Sequence, residues 1–415
     1  MKRLIGYMAA LCLLAITVGC GGISSTGTLA YISNSNGTGF TVYKINTDGT
    51  LTLSSVSPQN TPAAPKVIQF SANGRWAYFL DAAGANLYAY TRSGNGELAT
   101  KIDVYPVTGK ASSLVISPNS QFVYVAQPDI KKLAIFSIDQ ATGILTQVGS
   151  SVQIGYAITQ LVMSPSGSTV YGLAGEYPAG SGTSQQAVVA WGISTTAGNL
   201  LSTTVTSVGV LPSFLVLSVN GSYMYVLDHT AADPVLGPNI YAFTVNGATL
   251  TPIAGQGNAA GIFHENPAIT TNQDGSTSST LPSNPVAGVT TNDNRYLYVI
   301  NQGTHNITTF KIGTGSGSTA TGNYLAPGGL SEILGSTTDG TSTFAASPLD
   351  CGSGCTTPSF AAVAPQNNAL YVLDTFAGKI FQYRINQSTG KLRALSPASV
   401  SAESATSDPT WITTR

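Results

Sequence analysis

The run Phe122-Val-Tyr-Val125 has the aromatic and β-branched residues of a strand, and another aromatic residue, Phe136, stands 12 residues after its tyrosine. The same couple occurs seven times along the chain, usually at the same spacing. A repeat of about 45 residues made of four short strands is typical of a propeller blade. The sequence therefore predicts an all-β fold, a seven-bladed β-propeller of four-stranded antiparallel blades. The tyrosines are Tyr31, Tyr78, Tyr124, Tyr171, Tyr225, Tyr298 and Tyr371, and their partners are Tyr43, Tyr90, Phe136, Trp191, Phe243, Phe310 and Tyr383.

The other two strands of each blade also have sequence signals. An apolar run that ends in a tight turn, such as Leu114-Val-Ile-Ser-Pro118, precedes the tyrosine strand, and a Gly-x-Leu step follows the aromatic strand. The first repeat begins at Leu29 without a first strand, whereas the C-terminus supplies a lone run, Pro409-Thr-Trp-Ile-Thr413. We expect this last strand to complete the first blade, because closure of the ring removes an exposed sheet edge. The Gly-x-Leu steps begin at Gly49, Gly96, Gly143, Gly198 and Gly390.

The composition fits one large domain over residues 28–415 and excludes one class of partner. Charged residues make up 8% of the 415 residues, against roughly 25% in an average soluble domain. Aromatic and β-branched residues recur throughout, so the low charge does not indicate disorder. The formal net charge is −1, and no run of lysines or arginines occurs. A basic surface for nucleic acid is therefore excluded.

Residues 1–20 have the pattern of a targeting segment. A basic pair, Lys2 and Arg3, precedes an apolar stretch that is too short to span a bilayer and ends at the small residue before Cys20. The segment resembles a bacterial lipoprotein signal, which implies lipidation of Cys20, export, and anchoring at the outer membrane or cell surface. Residues 21–27 would then be a flexible tether. A plain secretory signal that leaves a free thiol is the alternative.

Two further cysteines, Cys351 and Cys355, lie in a Cys-Gly-Ser-Gly-Cys run. In an exported protein we expect them to form a small disulfide that fixes a long loop. A redox-active pair is the sharper alternative, although nothing nearby in sequence would lower a thiol pKa. Structural zinc is less favoured, because such a site needs four ligands and no histidine lies close in sequence.

Blade-building motifs carry a resemblance to known families. The chain resembles the seven-bladed lactonase propellers, which include 6-phosphogluconolactonase-like proteins, and also the Tyr-Val-Thr-Asn repeat propellers of bacterial surfaces. The resemblance implies the fold and, as an expectation, hydrolysis of a lactone. Enzymes of the lactonase family carry a Pro-Arg-His run at the start of an inner strand, where this chain has Pro212-Ser-Phe214 and Pro358-Ser-Phe360. The motifs are Ser117-Pro118, Ser164-Pro165, Tyr298-Val-Ile-Asn301, Tyr371-Val-Leu-Asp374 and Ile385-Asn-Gln-Ser-Thr-Gly-Lys-Leu392.

Four long inserts interrupt the repeats in blades four to six. Two are expected to follow a second strand and two a fourth strand, which places all four on one face of the propeller. We call this the insert-bearing face. Insertions of this kind commonly serve binding in repeat proteins. The inserts span residues 172–187, 228–239 and, approximately, 251–283 and 313–357.

All three histidines, His229, His264 and His305, fall on the predicted insert-bearing face, and Glu265 follows one of them directly. Imidazoles beside carboxylates can bind a divalent metal or act as general base for attack of water on an ester carbonyl. The more favoured interpretation is that they are polar residues of surface loops, because no two of them are spaced in the sequence as metal ligands usually are. No motif for an organic cofactor is evident.

An acid or amide stands three residues after six of the seven tyrosines. A polar ring around the propeller face is one interpretation. The favoured one is structural, since Asp and Asn side chains at strand ends bind the backbone of turns. The residues at this position are Asn34, Asp81, Gln127, Ala174, Asp228, Asn301 and Asp374.

Two classes of function follow from the sequence. The favoured one is a monomeric, non-catalytic binding propeller that presents the insert-bearing face to an envelope protein, a glycan or a small ligand. The alternative is a lactone or ester hydrolase with its site at the mouth of the central channel. A phosphorylated substrate is disfavoured, because none of the inserts contains an arginine. A histidine at the channel mouth would favour the enzyme.

Overall fold

The computed structural model describes residues 28–37, 39–178, 181–229, 238–254, 261–266, 268–271, 277–315, 325–340, 342–402 and 409–414. The targeting segment with Cys20 and the tether lie outside these residues. The regular structure of the described residues consists of β-strands. Among them we find no helix of the length and apolarity that crossing a membrane requires.

Seven sheets of four or five strands form the blades, which we number 1 to 7 with strands counted outward from the ring centre. Blade 1 consists of β36 (Pro409–Thr414), β1 (Leu29–Asn34), β2 (Gly39–Ile45) and β3 (Leu51–Leu53), with β4 (Gln59–Asn60) beside β2. Blade 2 consists of β5 (Pro65–Phe70), β6 (Trp76–Asp81), β7 (Asn86–Arg92) and β8 (Leu98–Pro106). Blade 3 consists of β9 (Ser113–Ile116), β10 (Phe122–Gln127), β11 (Lys132–Ile138) and β12 (Leu145–Gln147), with β13 (Val152–Gln153).

The remaining blades carry the longer connections. Blade 4 consists of β14 (Gln160–Met163), β15 (Thr169–Glu176), β16 (Ser184–Ile193) and β17 (Leu200–Ser207). Blade 5 consists of β18 (Pro212–Leu217), β19 (Tyr223–Asp228), β20 (Asn239–Asn246) and β21 (Thr249–Pro252), with β22 (Ile262–His264); the hairpin β23 (Ala268–Thr271) and β24 (Thr277–Thr280) follows. Blade 6 consists of β25 (Pro285–Thr290), β26 (Tyr296–Asn301), β27 (Asn306–Ile312) and β28 (Leu330–Glu332), with β31 (Leu349–Asp350) beside β27; the hairpin β29 (Thr337–Asp339) and β30 (Ser342–Phe344) is a separate sheet between β28 and β31 in the chain. Blade 7 consists of β32 (Pro358–Val363), β33 (Ala369–Asp374), β34 (Lys379–Ile385) and β35 (Leu392–Ser401).

The C-terminal strand closes the ring, which confirms the sequence-based prediction. Strand β36 is the innermost strand of blade 1 and pairs antiparallel with β1, with Ile412 opposite Ile32. Both isoleucines are buried, at 2% and 0% exposure. The first blade is thus assembled from the two ends of the described chain.

Each blade contributes aromatic residues to both of its neighbours. In blade 1, Tyr31 lies opposite Val42 and Ala30 lies opposite Tyr43, so the two tyrosines point to opposite faces of the sheet. Tyr31 therefore packs against blade 2, and Tyr43 packs against blade 7. The same arrangement recurs around the ring, so that every interface between blades holds one second-strand tyrosine and one third-strand aromatic residue. This explains why the couple is repeated in the sequence.

A hydrogen bond accompanies each of these contacts. All seven second-strand tyrosines are fully buried, and each hydroxyl donates to a glycine carbonyl in the turn between the third and fourth strands of the next blade. A buried hydroxyl needs such a partner, because leaving it unpaired costs free energy. The bonds measure 2.5 to 3.0 Å and close a full circle: Tyr31 to Gly96, Tyr78 to Gly143, Tyr124 to Gly198, Tyr171 to Gly247, Tyr225 to Gly328, Tyr298 to Gly390 and Tyr371 to Gly49.

The structure corrects the position of one insert. Residues 313–357 were expected to follow the fourth strand of blade 6 as a whole, but that strand is β28. Residues 313–315 and 325–329 therefore lie before it, in the turn that opens on the face opposite the insert-bearing face. The cause is a sixth Gly-x-Leu step, Gly328-Gly-Leu330, that the long connection separates from its blade. Residues 333–357 do follow the fourth strand.

Another expected insert is largely strand. Residues 172–187 lie mostly within β15 and β16, which pair beyond the blade as far as Glu176 and Ser184. Blade 4 thus projects from the insert-bearing face as a long hairpin. In blade 6, Cys351 and Cys355 form a disulfide with Cα atoms 5.8 Å apart, in the segment that leads to β32. Most of the insert at 228–239 and parts of the other two long inserts lie outside the described residues.

Candidate functional site

The innermost strands of five blades begin with the same irregular step. A proline starts the strand, and the pairing with the second strand shifts by one residue directly after it. A bulge of this kind leaves the residue after the proline without a partner in the ladder. The five bulged residues line one cavity on the channel axis: Lys66, Ser213, Val286, Ser359 and Thr410.

This cavity, which we call the channel cavity, lies at the mouth of the central channel on the insert-bearing face. It has a volume of about 250 Å³, and all seven blades contribute to its wall. Three aromatic rings form one continuous part of the wall. Phe360 lies between the other two, 4.2 Å from Trp411 and 5.8 Å from Phe214 between ring centroids. Hydroxyl side chains occupy much of the rest.

The hydroxyl groups of the wall are engaged in joining neighbouring blades. Ser112 donates to the Ile158 carbonyl at 2.8 Å, and Ser213 donates to the Pro285 carbonyl at 2.6 Å. Thr410 donates in the same way to the carbonyl of Lys66. Because these protons are used within the wall, the hydroxyl oxygens face a ligand mainly as acceptors. Lys66 is the charged hydrogen-bond donor among the lining side chains.

Lys66 is the one titratable side chain among the residues that line the channel cavity. Burial lowers the pKa of its ammonium group, and no carboxylate contributes a compensating attraction. The sequence analysis did not select this residue. Its signal was present, since Pro65-Lys66-Val67 has the same place in its blade as Pro212-Ser-Phe214 and Pro358-Ser-Phe360.

The opposite end of the channel is chemically different. A cavity of about 410 Å³ lies there between the ends of the innermost strands, with Met163, Leu217 and Val363 in its wall. None of the residues that line it is titratable. The insert-bearing face is therefore the face on which the channel offers chemistry to a ligand.

None of the three histidines lines the channel cavity. His229 comes nearest: its ring faces the Pro285 carbonyl, which also accepts the bond from Ser213. Burial lowers the pKa of His229, and its Nε2 is buried without a hydrogen-bond partner. His264 lies at the end of the outer strand β22, and His305 is exposed in the turn before β27.

The structure does not bring the histidines together as a metal site. Within the described ranges no group of three His, Cys, Asp or Glu side chains is placed to hold a metal ion. Of the polar residues that follow the tyrosines, Asp228 and Asp374 bind the backbone of turns, as favoured from the sequence, whereas Asn301 donates to Glu265. The Asp228 carboxylate accepts bonds from the backbone of Val210 and Leu211, and Asp374 accepts bonds from Thr356 and Ala377. These contacts agree with the structural interpretation of the ring.

Glu265 is buried between blades 5 and 6, away from the channel cavity. It is 1% exposed, and its Oε2 accepts hydrogen bonds from Asn301 Nδ2, at 2.6 Å, and from the Thr308 hydroxyl. Its Oε1 has no hydrogen-bond partner. Burial raises the pKa of Glu265 to about 7, with a smaller contribution from the Glu332 carboxylate, while the two hydrogen bonds oppose the shift.

This carboxyl group should make the stability depend on pH. Its folded-state pKa, about 7, exceeds the ordinary value of 4.5. The fold thus favours the protonated form, and stability is lost as the pH rises from 4.5 to 7. The linkage amounts to about 3 kcal/mol. We expect Glu265→Gln to remove this loss, measured as the free energy of unfolding in urea between pH 4.5 and 8.

The exposed carboxylate of Glu97 provides the matched control, since Glu97→Gln should leave the pH dependence of the wild type unchanged. Identical pH profiles for the wild type and Glu265→Gln would contradict the assignment to this residue.

Comparison with known proteins places this geometry in context. Residues 41–174, about a third of the chain, match the family described as Lactonase, 7-bladed beta-propeller. The matched segment includes Lys66. No curated protein matches the sequence closely enough to serve as a relative.

Solved structures share the fold at low sequence identity. A proposed 6-phosphogluconolactonase from Bacteroides uniformis is 15% identical with a TM-score of 0.64, over 94% of this chain and 99% of that one. A second such protein, from Bacteroides fragilis, is 14% identical with the same TM-score and coverage. The periplasmic gluconolactonase PpgL of Pseudomonas aeruginosa is 14% identical with a TM-score of 0.60, over 93% and 98% of the two chains.

The chain is thus a seven-bladed β-propeller, and its resemblance to the lactonase propellers is confirmed by the family match together with the fold. At these sequence identities the structural likeness establishes architecture alone, since one fold hosts many functions.

Proposed function

We propose that the protein binds a small hydroxylated ligand of the sugar or sugar-lactone class in the channel cavity. The observation that carries this proposal is the wall itself, which combines the rings of Phe214, Phe360 and Trp411 with a ring of hydroxyl oxygens. Aromatic faces pack against the apolar side of a sugar ring, and the oxygens accept bonds from its hydroxyl groups. A volume of about 250 Å³ suits a ligand below drug size.

Binding without turnover is the favoured form of this function. Acid–base catalysis needs a titratable group within reach of the substrate. Among the described residues that line the channel cavity there is neither a carboxylate nor a histidine, and Lys66 is the candidate they offer. This supports the binding propeller over the hydrolase, in line with the missing Pro-Arg-His run.

Hydrolysis of a lactone is the second candidate, and Lys66 is the observation that favours it. Burial lowers the pKa of its amine, so a larger fraction is unprotonated than in an ordinary lysine. An unprotonated amine beside the ligand would activate water for attack on a lactone carbonyl. The resemblance to 6-phosphogluconolactonase-like proteins adds to this reading.

The setting of the protein is also part of the proposal. The N-terminal sequence supports export and a lipid anchor at Cys20 in a bacterial envelope, with the propeller acting as a monomer outside the cytoplasm. An envelope glycan or protein that carries such sugars would then be within reach of the insert-bearing face.

Replacing an aromatic ring of the wall tests the proposal. We expect Phe360→Leu, which keeps most of the apolar volume, to weaken binding of the preferred sugar about three- to tenfold, because a stacked ring contributes roughly 0.5–1.5 kcal/mol beyond its area. Calorimetry with D-glucose, D-galactose and their 1,5-lactones measures it, and NMR of the same lactones detects turnover above the spontaneous rate.

Phe376 provides the matched control, because it is 83% exposed on the turn between the second and third strands of blade 7. Phe376→Leu should bind like the wild type. Enzymatic turnover would replace the binding proposal by the hydrolase. Absence of both binding and turnover in the folded protein would overturn both candidates.

A further inference from the structure

A second cavity adjoins the channel cavity and shares two residues with it. This side cavity, of about 360 Å³, runs between blades 2 and 3 on the insert-bearing face. Lys66 and Ser112 line both cavities. The side chain of Lys66 therefore stands where the two spaces meet, and a ligand that spans them would pass beside it.

The charges around this junction are unbalanced. Among the residues that the structure describes, no Asp or Glu side chain lines either cavity, and none acts on the pKa of Lys66. Lys110 adds a second cation in the wall of the side cavity, and the hydroxyl-bearing Tyr177 lies there too. A carboxylate stands beside the side cavity, that of Asp129, which accepts a hydrogen bond from the backbone nitrogen of Lys110.

A partly buried ammonium group without a counter-ion is costly unless a ligand supplies the opposite charge. Most hydroxyl protons of the wall are used within the protein, so Lys66 is also the charged donor for a ligand oxygen. Both requirements are met by an anionic oxygen group placed at Lys66. No arginine is among the described residues that line either cavity. The single partly buried cation, Lys66, matches a ligand with one negative charge better than a ligand with two.

We propose that the ligand is a sugar acid whose carboxylate binds Lys66. The sugar ring lies in the channel cavity, and the next sugar unit of an oligosaccharide lies in the side cavity, towards Lys110. This inference rests on the proposed function and names the class of ligand for the same site. The carboxylate gains a charge-assisted hydrogen bond from Lys66, and Lys110 adds a weaker, more solvated attraction at the outer end.

Calorimetry with matched neutral and acidic sugars tests the proposal. We expect the wild type to bind D-galacturonate or D-glucuronate at least about tenfold more tightly than the corresponding hexose, since a hydrogen bond to a charged group exceeds one to a neutral group. Lys66→Met should remove this preference and leave binding of the neutral hexose in place. Lys101→Met, on the exposed outer strand β8, is the control and should retain the preference.

Digalacturonate tests the extension into the side cavity. It should bind more tightly than the monomer, and Lys110→Met should reduce this gain without changing the affinity for the monomer. Because the attraction at Lys110 is exposed, the gain should also shrink at high salt.

The outcomes separate this inference from the proposed function. Equal affinity for hexose and hexuronate in the wild type overturns the sugar-acid proposal alone. Equal loss of both ligands in Lys66→Met also overturns it, because Lys66 would then act by shape and not by charge. Tighter binding of D-glucose 6-phosphate than of the uronates replaces the carboxylate by a phosphate. Failure of every sugar to bind overturns the proposed function as well.

Discussion

Deletion of Thr410 to Arg415 is expected to unfold or aggregate the protein. The deletion removes nearly all of β36, and so it exposes the edge of β1 and the side chain of Ile32. Truncating one buried isoleucine already costs roughly 2–5 kcal/mol, and this deletion removes the buried Ile412 together with the partly buried Trp411 at the ring centre. The loss is comparable with the whole stability of a typical domain, about 5–15 kcal/mol. Thermal unfolding by circular dichroism and size-exclusion chromatography measure it.

The control restores the strand at another place in the chain. Residues 409–414 inserted before residue 28 through a short turn would form β36 ahead of β1, which is the order in the other six blades. This variant should recover most of the melting temperature. A deletion variant that remains monomeric with the melting temperature of the wild type would show that β36 is not needed for closure.

Gly143→Ala is expected to destabilise the protein strongly, although it adds only one methyl group. Gly143 has a φ of +76°, and an added Cβ would overlap the indole ring of Trp76, which is 2% exposed between blades 2 and 3. The left-handed backbone and the overpacking together should cost about 2–5 kcal/mol. The carbonyl of Gly143 also accepts the bond from Tyr78, so a shift of the turn would weaken that bond. Chemical denaturation measures the change.

Gly247 allows the two causes to be separated. It has the same role for Tyr171 and a φ of +54°, but nothing lies within 4 Å of an added Cβ. Gly247→Ala should therefore show only the backbone cost, about 1 kcal/mol. Equal destabilisation by the two substitutions would contradict the role of Trp76.

The number of blades was predictable because each of the seven interfaces between blades buries the same pair of large side chains. Each interface needs one large residue from either side, and the tyrosine also needs an acceptor for its hydroxyl group. The resulting pair of aromatic residues can therefore be recognised in the sequence of every blade, although the loops differ in length. The fourth strand of blade 6 was missed for the opposite reason, since β28 has only three residues and a long connection separates it from β27.

The candidate site was much less predictable. The sequence analysis selected His229, His264, Glu265 and His305 because their side chains are reactive, but no pattern in one sequence states which residues meet at the channel. Lys66 was not selected although its proline motif matches those of Ser213 and Ser359, and it is the bulge after Pro65 that places it on the channel axis. Glu265 was selected as a reactive group, whereas its neighbours Asn301 and Thr308 come from a different blade.

The seven tyrosine-to-glycine bonds bear on how the protein comes apart. A linear stack of repeats has terminal units that contact one neighbour only, and these can fray. Here every blade contacts two neighbours, because the bond from Tyr371 to Gly49 returns to the first blade. Releasing any single blade therefore requires two interfaces to open at once. Partial opening is disfavoured, and the protein should persist through slow, concerted unfolding, which offers proteases few intermediate states to cleave.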